Sequence, residues 1–217
     1  MLCCSRVLPF GTMPALFIRP SESGVLLKPL FVLFWQLCRF QKGPQDVPYS
    51  QVLLLLLLVA ELALGMATIL LLEPLNMGQQ MLGLLMAMGA WLLLVWALLA
   101  FKGLTARYVQ TMSACLGTDL LLSCIILPLQ VYVVGQGLEP ESGTLARLAL
   151  LVALIWDILI KGRIYGASMQ LGRLQANLLS ITIWVIVLLL SNAFMPAPMP
   201  EQAPQNPAVE QVQPPSN

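Results

Sequence analysis

Histidine is absent from the 217 residues, and the five cysteines form no C-x-x-C pair. Cys3 and Cys4 are adjacent, Cys38 stands alone, and Cys115 and Cys124 lie within an apolar run. A zinc site built from Cys and His is therefore not expected. A Ser-His or Cys-His catalytic pair has no base to draw on within this chain. The sequence also lacks a Walker loop, a dinucleotide-binding glycine pattern and an internal repeat. Charge is scarce: Asp, Glu, Lys and Arg make up 10% of the chain, against roughly a quarter in a soluble domain. The net charge of +1 leaves no basic surface for nucleic acid. The chain thus reads as a non-enzyme with no catalytic residue, cofactor or metal, and no nucleic-acid partner.

Hydrocarbon is what the sequence has in abundance. Residues of the AVILMFWYC set account for 59% of it, which leaves too few polar side chains to cover a soluble globule. Lipid is the solvent this composition calls for, so the lipid bilayer is the first expected partner. The expected fold class is all-α, a polytopic transmembrane helix bundle. A span needs about 20 mostly apolar residues, because the hydrocarbon core is about 30 Å thick. Five segments qualify, at about 52–72, 81–101, 112–134, 145–160 and 174–194, within a membrane domain covering 43–194.

Helix-stopping chemistry separates these segments. Glu73-Pro74 closes the first, Phe101-Lys102-Gly103 the second, and Gly135-Gln136-Gly137 the third. Pro140 with Ser142 or Thr144 opens the fourth, and Lys161-Gly162 ends it. Asp46 or Ser50 is placed to cap the first span.

Residues 25–42 differ from the spans. On a helical wheel Lys28, Gln36 and Arg39 share one face, with Leu30, Leu33, Phe34 and Leu37 opposite, and Pro29 falls in the first turn, where proline is tolerated. This pattern predicts an amphipathic helix in the headgroup layer. Residues 1–24, broken by Pro9, Gly11 and Pro14, read as a poorly ordered leader. Residues 195–217, rich in Pro and Gln, read as a disordered tail.

Basic residues alternate between loops. Arg6, Arg19, Lys28, Arg39 and Lys42 precede the first span, Lys102 and Arg107 follow the second, and Lys161, Arg163 and Arg173 follow the fourth. Only Arg147 breaks the pattern. The positive-inside rule then puts the N-terminus in the cytoplasm and the C-terminus outside.

Three acids fall inside spans: Glu61, Asp119 and Asp157. Each costs a few kcal/mol at a helix centre, so each is expected to face the bundle, to pair or to be protonated. Asp119 and Asp157 lie at similar depth, near Lys161 and Arg163. The expected intramembrane polar cluster is therefore Glu61, Asp119, Asp157, Lys161 and Arg163, with Lys161 or Arg163 as the countercharge. Its structural reading is an ion pair that fixes helix rotation; its functional reading is a proton or substrate path. Gly83, Ala87 and Ala90 form a small-residue face for close packing in the second span.

The stretch from Leu154 to Ser168, LIWDILIKGRIYGAS, carries a tryptophan near a span exit and then a glycine-basic step before the last span. With FQKGPQDVPYS ahead of the first span, it resembles bacterial members of the Yip (Ypt-interacting protein) family over roughly residues 39 to 194. The resemblance implies five spans and a cytoplasmic N-terminus in the inner (plasma) membrane of a bacterium. Eukaryotic members of that family are linked to membrane traffic and small GTPases, and no catalytic residue comes with the resemblance. Two activities follow as expectations. One is a scaffold or organiser working with lipids, other membrane proteins or further copies of itself. The other is a small transporter or channel subunit using the buried carboxylates.

Overall fold

The computed structural model of the chain describes residues 27–72, 77–135 and 144–193. The expected leader, the tail, the Glu73-Pro74 turn and the Gly135–Thr144 link, beyond its two end residues, lie outside them. Among the described residues there is no strand. Six helices follow one another: α1 (Leu27–Cys38), α2 (Gln51–Leu72), α3 (Met77–Phe101), α4 (Tyr108–Gly135), α5 (Thr144–Met169) and α6 (Arg173–Ala193). Four are long and apolar enough to cross a membrane: α2, α3, α6, and α4 with the short turn that precedes it. α5 has the length, at 26 residues, but it carries Arg147, Asp157, Lys161 and Arg163 and is not among the four.

Local chemistry sets the helix ends. Ser50 Oγ accepts the Leu53 N–H at 3.2 Å and caps α2. Asp46 instead accepts the Gly43 N–H at 3.0 Å and closes a separate 3-10 turn. Gly103, at φ 69°, stops α3; the Leu104 N–H returns to the Leu99 carbonyl and the Gly103 N–H to that of Ala100. The same left-handed ending closes α1 at Phe40 (φ 60°) and α5 at Gln170 (φ 55°).

The fourth apolar segment differs from its expected bounds. Lys161-Gly162 does not end it: α5 runs on for two more turns to Met169. Gly162 is a packing residue, because a methyl group there would press on the Asn177 side chain and backbone of α6. The interior glycine costs about 1 kcal/mol of helix propensity, and the close approach of α6 overrides it.

The core gathers at one end of the bundle. Every residue of α4 from Thr111 to Thr118 is buried. Around this segment pack Trp91, Val95 and Leu99 of α3 and Ile160, Ile164, Tyr165 and Met169 of α5. The Thr111 hydroxyl donates to Ser168 Oγ at 2.8 Å, so the start of α4 meets the end of α5 and the two helices run antiparallel. Away from this end large apolar side chains face outward, among them Leu148, Leu151, Val152, Ile155 and Leu159 on α5.

The apolar face of α1 has a partner inside the protein. Its Leu33, Phe34, Leu37 and Cys38 face is buried in the protein, on α4. The Phe34 ring fills the space that a side chain at Gly117 would occupy. A second face is exposed, with Lys28, Phe31, Val32, Trp35 and Arg39 at helical spacing. The wheel showed an apolar face correctly, but its partner is α4, because a glycine there opens a socket for an aromatic ring.

Gly117→Leu should expel Phe34 and lower stability by about 1–3 kcal/mol, the usual range for an overpacked core. Gly89→Ala, which meets open space, should leave the unfolding midpoint in detergent at or above wild type. Burial, with Asp119 and Asp157 nearby, pushes the Cys38 thiol up to about 11, so maleimide should label Cys38 slowly in wild type and faster in Gly117→Leu, as read by peptide mass spectrometry.

Candidate functional site

Lys161 is the centre of the polar interior. One helical turn separates it from Asp157 on α5, and its ammonium donates to Asp157 Oδ2 at 2.8 Å. The same ammonium lies 3.2 Å from Asp119 Oδ1 on α4. This second contact is an ion pair without hydrogen-bond alignment, which leaves Asp119 Oδ1 buried without a hydrogen bond; the second oxygen of Asp157, Oδ1, is buried and unbonded as well. The Trp91 ring of α3 lies under the ammonium, 5.4 Å from it to the ring centroid. The Trp91 indole N–H in turn donates to the Tyr165 hydroxyl at 2.9 Å, and Tyr165 is one turn beyond Lys161. One cation therefore ties together α3, α4 and α5.

The side chains of this triad keep some exposure, 19% for Lys161, 13% for Asp119 and 15% for Asp157. The reason is a cavity on each side. One, of about 400 Å³, is lined by Glu61, Asp119, Asp157, Lys161, Ser123 and Gln130 together with aliphatic residues of α4 and α5. The other, of about 200 Å³, is lined by Asp119, Lys161, Tyr165, Ser180, Trp91, Trp184 and aliphatic side chains. Asp119 and Lys161 belong to both. Glu61, on α2, shares the first cavity with the triad and has Oε2 buried without a hydrogen bond. Two carboxyl groups thus share one ammonium, and a third, Glu61, lines the same cavity without pairing with it among the described residues.

The structure brings four of the five expected cluster residues around one cavity. Arg163 is elsewhere: it is exposed, and its guanidinium stacks 5.6 Å from the Phe40 ring centroid, which also contacts Trp156 at 5.4 Å. The reason is angular. Two residues on from Lys161 a helix has turned by about 200°, so Arg163 points away from α4. Trp91, Tyr165 and Trp184 entered no expected site; the only sequence signal for Trp91 and Trp184 was their position in mid-span, away from the boundary where tryptophan usually gathers. Among the described residues no group of His, Cys, Asp and Glu has the arrangement to hold a metal ion.

Polar contacts continue toward the packed end. Lys102 Nζ donates to the Met169 carbonyl at 3.2 Å and Arg107 to that of Ser168 at 3.4 Å. Both cations therefore cap the carbonyl end of α5, where the helix dipole favours positive charge. No family model, no curated protein and no solved structure matches this chain.

Removing one member of a buried ion pair costs more than the pair contributes, about 3–5 kcal/mol, because a charge is left uncompensated. Lys161→Met should therefore sharply lower the yield of folded protein in detergent. Combined with Asp119→Asn it should recover part of the loss, with a coupling of about 0.5–3 kcal/mol in a double-mutant cycle. Strict additivity would mean that Asp119 and Lys161 do not act on each other.

Proposed function

We propose that this is a five-span, non-enzymatic protein of the bacterial inner membrane, acting as a scaffold or organiser of lipids and other membrane proteins. The N-terminus is cytoplasmic and the C-terminus outside in this reading. The observation that carries it is the Lys161 triad. A cation fixed between two carboxyl groups and an indole face locks three helices at one rotation, as a frame requires. The resemblance to the Yip family over 39–194 points the same way.

α5 is counted as the fifth span on three grounds. At 1.5 Å per residue its 26 residues reach about 39 Å, more than the hydrocarbon thickness. It runs antiparallel to α4, as the next span must. Its outward stripe of Leu148, Leu151, Val152, Ile155 and Leu159 is apolar, Asp157 and Lys161 satisfy each other inside, and Arg147 and Arg163 lie toward the ends, where long side chains reach the interface.

A second reading, a proton- or cation-translocating subunit, is favoured by one specific observation. The two cavities meet at Asp119 and Lys161, and Glu61 lines the larger one.

Proteoliposomes loaded with a pH-sensitive dye separate the two readings. The scaffold reading expects equal proton flux in wild type, Asp119→Asn and protein-free vesicles. A wild-type flux abolished by Asp119→Asn or Glu61→Gln overturns it in favour of translocation. A reporter fused after Asn217 should be active only outside the cytoplasm, and cytosolic activity there overturns the five-span topology.

A further inference from the structure

Between α1 and the start of α2 lies a cleft of about 580 Å³. Leu30, Val32 and Leu33 of α1 and Leu53 of α2 give it aliphatic walls, while Gln36 and Lys42 supply its polar end. Lys42 is exposed, and neither it nor the Gln36 amide has a partner among the described residues. Asp46, the one acid among the described residues of this segment, is occupied by the Gly43 N–H. The neighbouring exposed face of α1 sets Phe31, Val32 and Trp35 between Lys28 and Arg39. A helix bearing aromatic and aliphatic groups between two cations suits the boundary of hydrocarbon and anionic headgroups.

We propose that this cleft binds one anionic phospholipid, with its phosphate at Lys42 and Gln36 and an acyl chain along Leu30, Val32, Leu33 and Leu53. The occupant follows from charge complementarity. The polar end offers an ammonium, the Gln36 amide and the Ser50 hydroxyl but no free carboxylate, so it suits a phosphodiester and sets no opposite charge against the choline or ethanolamine cation of a zwitterionic lipid. The aliphatic walls require a chain, which free phosphate lacks. The inference deepens the organiser reading by naming a ligand class, and it rests on that reading only for the leaflet the cleft faces.

The test is native mass spectrometry of the full chain in mild detergent with equimolar phosphatidylglycerol and phosphatidylcholine. Wild type should retain phosphatidylglycerol selectively. Lys42→Gln should reduce that retention about fivefold, the typical effect of one lysine near an anionic surface. Val32→Glu, which sets a carboxylate on the cleft wall, should reduce it as well, and Arg147→Gln, exposed at the start of α5 and outside the cleft, should not. Adding glycerol phosphate should leave the lipid bound.

Equal retention of the two lipids by wild type overturns the proposal. So does a loss in Arg147→Gln equal to that in Lys42→Gln, or displacement by glycerol phosphate alone. If either cleft variant elutes away from the wild-type position on size exclusion, Gln36→Leu tests the same polar end by a neutral change, and undiminished retention there overturns the proposal too. The assay is blind to orientation. A cytosolic reporter at Asn217 with intact lipid selectivity would overturn the topology and leave the cleft standing.

Discussion

One ammonium shared by two carboxyl groups decides how the helices of this chain are turned. In apolar surroundings an ion pair is weakly screened, and an isolated charge is far more expensive than a paired one. Turning α5 by one residue, about 100°, would carry Lys161 and Asp157 away from Asp119. The same turn would undo the neighbouring contacts, since Gly162 faces Asn177 of α6 and Tyr165 reaches Trp91 of α3 only at the rotation the ion pair selects. The triad's contribution is the choice of one packing, more than added stability.

The packed end of the bundle extends this constraint. Gly117 admits the Phe34 ring and Gly162 admits Asn177, so two glycines bring α1 and α6 close to the helices that hold the triad. Lys102 and Arg107 close the carbonyl end of α5. This changes how the basic residues count toward topology. Lys161 is an interior residue of α5, paired with acids, and carries no weight as a loop charge. The basic residues that remain in the count are those before α2, Lys102 and Arg107, Arg163 six residues short of the end of α5, and Arg173 at the start of α6. The alternation keeps its sign with one residue fewer.

Much of the helix layout was legible because hydropathy and helix-stopping residues report it directly. α2 begins one residue before its expected start and ends at its expected end; α6 begins one residue before its expected start. Gly103 was read correctly as a stop, and it adopts the left-handed conformation such stops use. Gly162 was misread as another, because sequence alone does not distinguish a glycine that ends a helix from one that lets a neighbour in. The early start of α3 at Met77 has a related cause: Gly78, Gln79 and Gln80 are polar yet helical, and hydropathy marks where lipid contact ends, not where hydrogen bonding ends. Within the site, Asp119, Asp157 and Lys161 were legible by depth and by i,i+4 spacing. Trp91 and Tyr165 were not, because their contacts depend on how helices distant in sequence face one another.

α5 shows why a charge count and a packing argument diverge. A rule based on composition treats every ionisable residue as if it faced lipid and excludes a helix with four of them. In this helix Asp157 and Lys161 compensate each other and meet α4, Arg147 and Arg163 are exposed, and the outward stripe from Leu148 to Leu159 is apolar. The cost of a charge in a membrane depends on where its side chain points, and that direction is set by the partner at Asp119.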